Sequence, residues 1–237
     1  MGSGGDAGAL LANQIWAQVV RAAPVGAIRR PALFLDRDGV IVEEIGHLHR
    51  PADVRMISGA AEVIAAANRA TVPVIVVSNQ SGVGRGLFGW PDFAAVQERI
   101  IRELAARGAF IDAVLACPYH AEARPPCRHP DHPARKPNAG MIYAATRLLP
   151  IALRASWIIG DRASDLTAGR TAGLAGGLLV LSGLGQRELE ASQPLATASF
   201  RIFAGHSVAA ALSVIPLLAM LPMGKPTAAE PPIQARP

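Results

Sequence analysis

The stretch Ala32-Leu33-Phe34-Leu35-Asp36-Arg37-Asp38-Gly39-Val40 decides how the chain folds. Four apolar residues make a run of strand length, and charge begins directly beyond it. Two carboxylates two residues apart, straight after a buried strand, cost desolvation and mutual repulsion. A bound cation offsets both. Gly39 permits a sharp exit from the strand. The plain alternative is a strand-to-loop turn with two solvated Asp residues.

Working outward, similar apolar runs stand at 72–77, 113–116, 157–159 and 178–181. Several are bounded by Pro, Gly, Asp or Ser. Helix-like stretches lie between them, at 60–70, 140–149 and 164–172. A further one follows Pro91 and carries Phe93, Val96, Ile100, Ile101 and Leu104 at helical spacing. Pro91 suits a first helical turn, where its missing N–H costs nothing. Strands that alternate with helices predict an α/β fold, a mostly parallel sheet with helices on both faces. Ligands of such sheets bind beyond the carboxyl ends of the strands. The residues just after each run are therefore the candidates for chemistry.

The second run ends in Ser78-Asn79-Gln80-Ser81-Gly82-Val83-Gly84-Arg85-Gly86. A hydroxyl, amides, three glycines and an arginine can offer N–H groups and a guanidinium fork to phosphate oxygens. An ordinary Gly-rich turn is the alternative. Arg135-Lys136-Pro137 follows later, and Lys136 could neutralise phosphate or a developing charge. The fourth run ends in Gly160-Asp161-Arg162-Ala163-Ser164-Asp165. Asp161 can reach the same cation as Asp36, and Mg²⁺ prefers oxygen ligands. Helix N-capping by Asp161 or Asp165 is the plainer reading.

The whole composition narrows the partners. The 237 residues suit one domain with extensions. Hydrophobic residues make up 51% and aromatic ones 5%, which predicts an aliphatic core. The net charge is +5, with Arg spread along the chain and no dense basic stripe. A nucleic-acid partner is not expected, and an anionic small molecule needs no more charge than this. Two cysteines and no signal-peptide pattern predict a cytoplasmic protein. Residues 202–224 lack charge, but Pro216 and Pro222 interrupt them. They read as a buried final helix ending near Pro216, with no membrane span. Residues 1–30 form an extension with one short helix over 10–20. The main domain is expected at 31–216, and 217–237 as a largely disordered tail.

The order and spacing of these four loops resemble the haloacid dehalogenase superfamily of phosphatases. The resemblance runs over about 31–211. Within the superfamily, FLDRDGVI, GHLHRPADVRMISG, SNQSGVGRGLF, CPYH, RKPNAGM and GDRASDLTAG look like the D-glycero-D-manno-heptose 1,7-bisphosphate phosphatase group. It implies a three-layer, Rossmann-like, doubly wound sheet without a large cap domain. It implies that Asp36 attacks phosphorus and that Asp38 is the general acid and base. Asp36, the backbone carbonyl of Asp38, and Asp161 would hold Mg²⁺, with Asp165 supporting that shell. Ser78 and Lys136 would bind the transferred phosphoryl group, while Asn79, Arg85 and Arg135 orient a sugar phosphate. The family role is a step in making nucleotide-activated heptose. A monomer is expected.

One loop departs from the family. Many members fix it with zinc, through Cys-x-His and then Cys-x-Cys before the Arg-Lys-Pro. Here Tyr119 stands where the first His belongs, and His132 and Ala134 where the later Cys belong. Cys117, His120, Cys127 and either His129 or His132 could still form a tetrahedral site. A metal-free loop stiffened by its prolines is the preferred reading. Val42 and His47 also replace residues common in the family, near the substrate entrance. Histidinol-phosphate phosphatase, DNA 3′-phosphatase and a non-catalytic binding protein are the competing functions. The last has no need to keep Asp36, Asp38, Ser78, Lys136 and Asp161 together.

Overall fold

A computed structural model of the chain describes residues 8–11 and 14–219. Its strands, in chain order, are β1 (Ala9–Leu10), β2 (Trp16–Val19), β3 (Leu33–Leu35), β4 (Val74–Asn79), β5 (Ala113–Cys117), β6 (Trp157–Gly160), β7 (Gly176–Val180) and β8 (Arg201–Gly205). The helices are α1 (Ala60–Arg69), α2 (Ser81–Arg85), α3 (Trp90–Ala105), α4 (Gly140–Leu148), α5 (Ala163–Thr171), α6 (Gly185–Ser192), α7 (Ala211–Val214) and α8 (Pro216–Ala219). One sheet runs in the order β1-β2-β5-β4-β3-β6-β7-β8. All neighbours from β5 to β8 are parallel, and β1 and β2 are antiparallel additions at one edge. This is the doubly wound α/β sheet expected from the sequence.

Alternation along each strand sorts the core into two layers. Leu33, Leu35, Val74 and Val76 face one side, where α1 and α3 pack through Ile64, Phe93, Val96 and Ile100. Phe34, Ile75, Val77 and Ile158 face the other, against Met141 and Ile142 of α4 and Leu166 of α5. Apolar residues on both faces explain why the strand runs are nearly continuous in the sequence.

The helix expected over 10–20 does not form among the described residues, where Leu10 ends β1 and Trp16–Val19 make β2, paired antiparallel with it. Trp16–Val19 pair with Ala113–Ala116 of β5. Ile15 is fully buried, and Trp16 stacks on Trp90 and meets Phe93 edge-on. The apolar count of this stretch suited either state. The open edge of β5 decided it, because an uncovered strand edge leaves N–H and C=O groups unpaired. Burying a side chain such as Ile15 contributes roughly 1.5–3 kcal/mol.

The predicted final helix is likewise only partly helical. Its first residues belong to β8, paired with β7, and helix begins at α7. No helix among the described residues is long and apolar enough to cross a membrane. Residues 1–7, 12–13 and 220–237, including most of the tail expected to be disordered, lie outside the described residues.

β3 sits where the strand order reverses. β4 and β5 follow on one side of it, and β6, β7 and β8 on the other. Leu35 is in register with both Val76 and Ile159. The chain leaves all three strands at one level, so Asp36, Ser78 and Asp161 emerge together at the switch point.

Candidate active site

Asp36 follows β3 directly, and its N–H is tied to Ile159 C=O at 2.9 Å. Lys136 arrives from the segment before α4 and is 3% exposed. Its Nζ lies 2.8 Å from Asp36 Oδ1, 2.6 Å from Asp165 Oδ1 and 2.7 Å from Val77 C=O. Burial works against the ammonium charge, but Asp165 and Asp36 outweigh it and hold the pKa above its ordinary value. Asn79 fixes the same backbone from both sides. Its Nδ2 donates to Lys136 C=O, and its Oδ1 accepts Lys136 N–H.

Asp161 follows β6 and is fully buried. One of its oxygens accepts Leu184 N–H, while Oδ1 has no hydrogen-bond partner among the described residues and lies 3.9 Å from Arg162 Nε. A side chain at Gly39, with φ +84°, would come within 2.3 Å of Asp161 Oδ2. Gly183, with φ +61°, walls the same oxygen from another side. Gly39 thus does more than turn the chain, because its missing Cβ makes the room that Asp161 fills.

Oxygens of Asp36, Asp161 and Asp165 lie within 4.8 Å of one another. Among the described residues this is the only such gathering of three or more His, Cys, Asp or Glu side chains. Hard oxygen donors and an unpartnered buried carboxylate oxygen fit Mg²⁺. The carboxylate of Asp38 is outside this group, in keeping with its expected part through the backbone carbonyl, and Asp165, expected to support the metal shell, brings its carboxylate in beside Asp36 and Asp161. The side chain of Asp38 turns to Arg37, whose Nε and Nη2 donate at 3.0 and 2.9 Å, and to Gln80 Nε2 at 3.0 Å.

Burial, then the charges of Asp36 and Asp165, push the Asp161 carboxyl up to about 7. Burial also raises Asp165, against the pull of Lys136. The sign of the consequence is fixed. Between about pH 4 and 7 the folded protein keeps a proton on Asp161 that the unfolded chain has released. Stability in chelator is therefore expected to fall as pH rises through that window. Calorimetry from pH 5 to 8 with EDTA should show the drop, and Asp161→Asn should flatten part of it. A melting temperature that climbs over the same range would contradict the crowding of carboxylates described here.

Gln80 and Arg37 were not singled out from the sequence. Gln80 Nε2 donates to both Asp38 and Ser78 Oγ, the latter at 2.8 Å. Ser78 Oγ is thereby an acceptor, and its own proton is left to donate elsewhere. Arg37 is 1% exposed and lies over the Phe93 ring at 5.2 Å. A charged residue between two Asp reads as solvated. Only the aromatic floor of α3 shows it to be buried.

The cleft above these groups has a volume of about 490 Å³. Glu44, His47, Arg85, His120, Arg135 and Arg162 line its outer part. Arg85 is paired with exposed Glu122 at 2.5 Å, and Arg135 donates to Tyr119 C=O at 2.9 Å. Arg162 reaches Glu44 at 3.4 Å. All seven residues assigned from the sequence to catalysis and substrate therefore line one cleft. The Gly-rich segment is not a loop but the short helix α2.

The candidate zinc set Cys117, His120, Cys127 and His132 does not come together in that way. Cys117 ends β5 inside the apolar layer, and Cys127 packs against that layer. Burial pushes the Cys117 thiol up to about 11. His120 faces the cleft, whereas His132 lies on Tyr119. β5 turns Cys117 into the apolar layer, on the side where Cys127 also packs, while His120 faces the cleft.

Comparisons with known proteins point to one family. The Hydrolase_like family model (HAD-hydrolase-like) matches residues 133–202. A D-glycero-β-D-manno-heptose-1,7-bisphosphate 7-phosphatase from Mesorhizobium japonicum is 49% identical over 150 residues, covering 63% of this chain and 69% of the relative. A protein of the same name from Rhodopseudomonas palustris is 40% identical, covering 63% and 83%. Among solved structures, the D,D-heptose 1,7-bisphosphate phosphatase from B. bronchiseptica, in complex with magnesium and phosphate, superposes with a TM-score of 0.65 at 29% identity. That match covers 76% of this chain and 95% of the other.

Proposed function

We propose, because the chain belongs to the haloacid dehalogenase-like phosphatases, in the heptose-1,7-bisphosphate 7-phosphatase group, that it removes the 7-phosphate of such a bisphosphate through an aspartyl-phosphate on Asp36. The chain is a phosphatase, a hydrolase of phosphate esters. The observation that carries the finer reading is the Asp36 carboxylate 2.8 Å from the buried ammonium of Lys136, at the level of Ser78 and Asp161.

Asp36 attacks phosphorus and the bond to the sugar oxygen breaks. Asp38 gives that oxygen its proton. It then takes one from the water that attacks the phosphorus of the acyl phosphate, freeing Asp36 and inorganic phosphate. Ser78, with its oxygen already accepting from Gln80, donates its hydroxyl proton to a phosphoryl oxygen. Lys136 neutralises the charge that spreads over the phosphoryl group. Gln80 spans Asp38 and Ser78 and so fixes the distance between acid and phosphate site. Asp36, Asp161 and Asp165 would hold Mg²⁺, which when bound lets an anionic carboxylate approach an anionic phosphate. Arg85 and Arg135, in the outer cleft, would meet the second phosphate. The β anomer is the expected substrate, as in the names of both relatives above.

Mg²⁺-dependent phosphate release from four substrates tests this. They are the two anomers of heptose 1,7-bisphosphate, histidinol phosphate and a 3′-phosphorylated oligonucleotide. The expected result is highest kcat/KM on the β-bisphosphate. Preference for histidinol phosphate or the oligonucleotide would move the protein to that substrate class and sink the heptose reading.

A further inference from the structure

The segment between β5 and α4 holds three imidazoles in one repeated geometry. His120, His129 and His132 each accept, on Nδ1, the backbone N–H two residues on, from Glu122, Asp131 and Ala134, all at 3.1 Å. A neutral ring that accepts at Nδ1 carries its proton on Nε2. One nitrogen is then occupied and the other protonated, whereas a metal ligand needs a bare nitrogen. With Cys117 turned into the apolar layer, zinc does not fit this loop.

A stack of rings occupies the loop instead. Tyr119 and His132 lie face to face, with 3.6 Å between centroids and 7° between planes. His129 meets both edge-on, at 6.3 and 5.2 Å. Each stacked residue also holds Arg135. The backbone N–H of Arg135 donates to His132 C=O at 2.9 Å, and its Nη1 donates to Tyr119 C=O at 2.9 Å. Asn138 Nδ2 closes the turn on the same His132 carbonyl at 3.1 Å. The two carbonyls that fix Arg135 therefore belong to the two rings that are stacked together. Separating the rings separates the anchors.

We infer that the Tyr119–His132 stack, and not a metal ion, holds the loop that presents Arg135 to the cleft, so that Tyr119 and His132 are positioning residues for substrate binding. This rests on the reading of Arg135 as a contact for the substrate's second phosphate. Lys136, the next residue, is held independently of the rings, by Asn79 on its backbone and by Asp36, Asp165 and Val77 C=O at its Nζ, so loosening the stack acts on binding through Arg135.

Tyr119→Ala and His132→Ala are compared with Tyr119→Phe and His132→Phe, which keep a flat ring. In the alanine variants KM for the bisphosphate is expected to rise about tenfold or more, with kcat within about twofold of wild type. The phenylalanine variants keep a KM within about threefold of wild type. Hydrogen–deuterium exchange of the amides in 129–136 is the second readout, faster in both alanine variants and unchanged in both phenylalanine ones. Metal analysis of protein expressed in zinc-supplemented medium should find zinc far below one equivalent. Unchanged exchange and KM in the alanine variants would overturn the inference, as would stoichiometric zinc that Cys127→Ala removes. If the wild type ignores the bisphosphate while the alanine variants still exchange faster, the substrate reading fails and the positioning role stands.

Discussion

Asp36→Asn is expected to lower kcat by on the order of 10⁵-fold or more while leaving the fold intact. The amide is nearly isosteric with the carboxylate but cannot attack phosphorus. The substitution also removes one charge from a group whose oxygens lie within 4.8 Å. Lys136 keeps its pair with Asp165 at 2.6 Å. The melting temperature in chelator should therefore hold or rise. Phosphate release measured at high enzyme concentration reads the rate. Borohydride reduction of wild-type enzyme during turnover, followed by mass spectrometry, should mark the phosphorylated carboxyl at residue 36 and at no other. A variant that retains more than about one-hundredth of the wild-type rate would remove the covalent route from consideration.

Lys136→Met has the largest expected effect on stability. The ammonium is buried and touches Asp36 and Asp165, with a third carboxylate, Asp161, in the same group. Taking one partner from a buried ion pair costs about 3–5 kcal/mol, because the charge left behind has no water to turn to. Methionine matches the length of the stem, so packing contributes little to the loss. Activity should fall as well, by about 10²–10³, as a preorganised donor to the transferring group is lost. Urea unfolding in EDTA and in Mg²⁺ separates the two roles. Mg²⁺ should restore more stability to the variant than to the wild type, since a bound cation replaces the charge that was removed. Equal gains in both proteins would show that lysine and metal act independently of each other.

These two expectations draw on groups that differ in how readily the sequence discloses them. Asp36, Ser78 and Asp161 each stand directly after an apolar run, and a parallel sheet brings such positions together by its topology. Lys136 has no such mark. It lies before α4, and reaches the others because its segment packs across the ends of β3 and β4. Arg37 and Gln80 were hidden for a related reason. In sequence each is a polar residue beside another polar residue. Their roles depend on Phe93, 5.2 Å beneath Arg37, and on Ser78 and Asp38, which Gln80 bridges.

The sequence by itself determined the central strands and main helices, the site at their carboxyl ends and the carboxylates that meet there. Local apolar runs and the turn residues behind them carry that information within a few positions of each element. Only the tertiary structure decided that residues 16–19 are strand, that 201–205 extend the sheet, and that the imidazoles of the 119–132 loop stack where zinc ligands were one reading. Each of those outcomes turns on a partner far along the chain or across a loop: the edge of β5, the edge of β7, and the ring of Tyr119 facing His132. Open sheet edges and flat ring faces are properties of assembled structure. No spacing of residues records them.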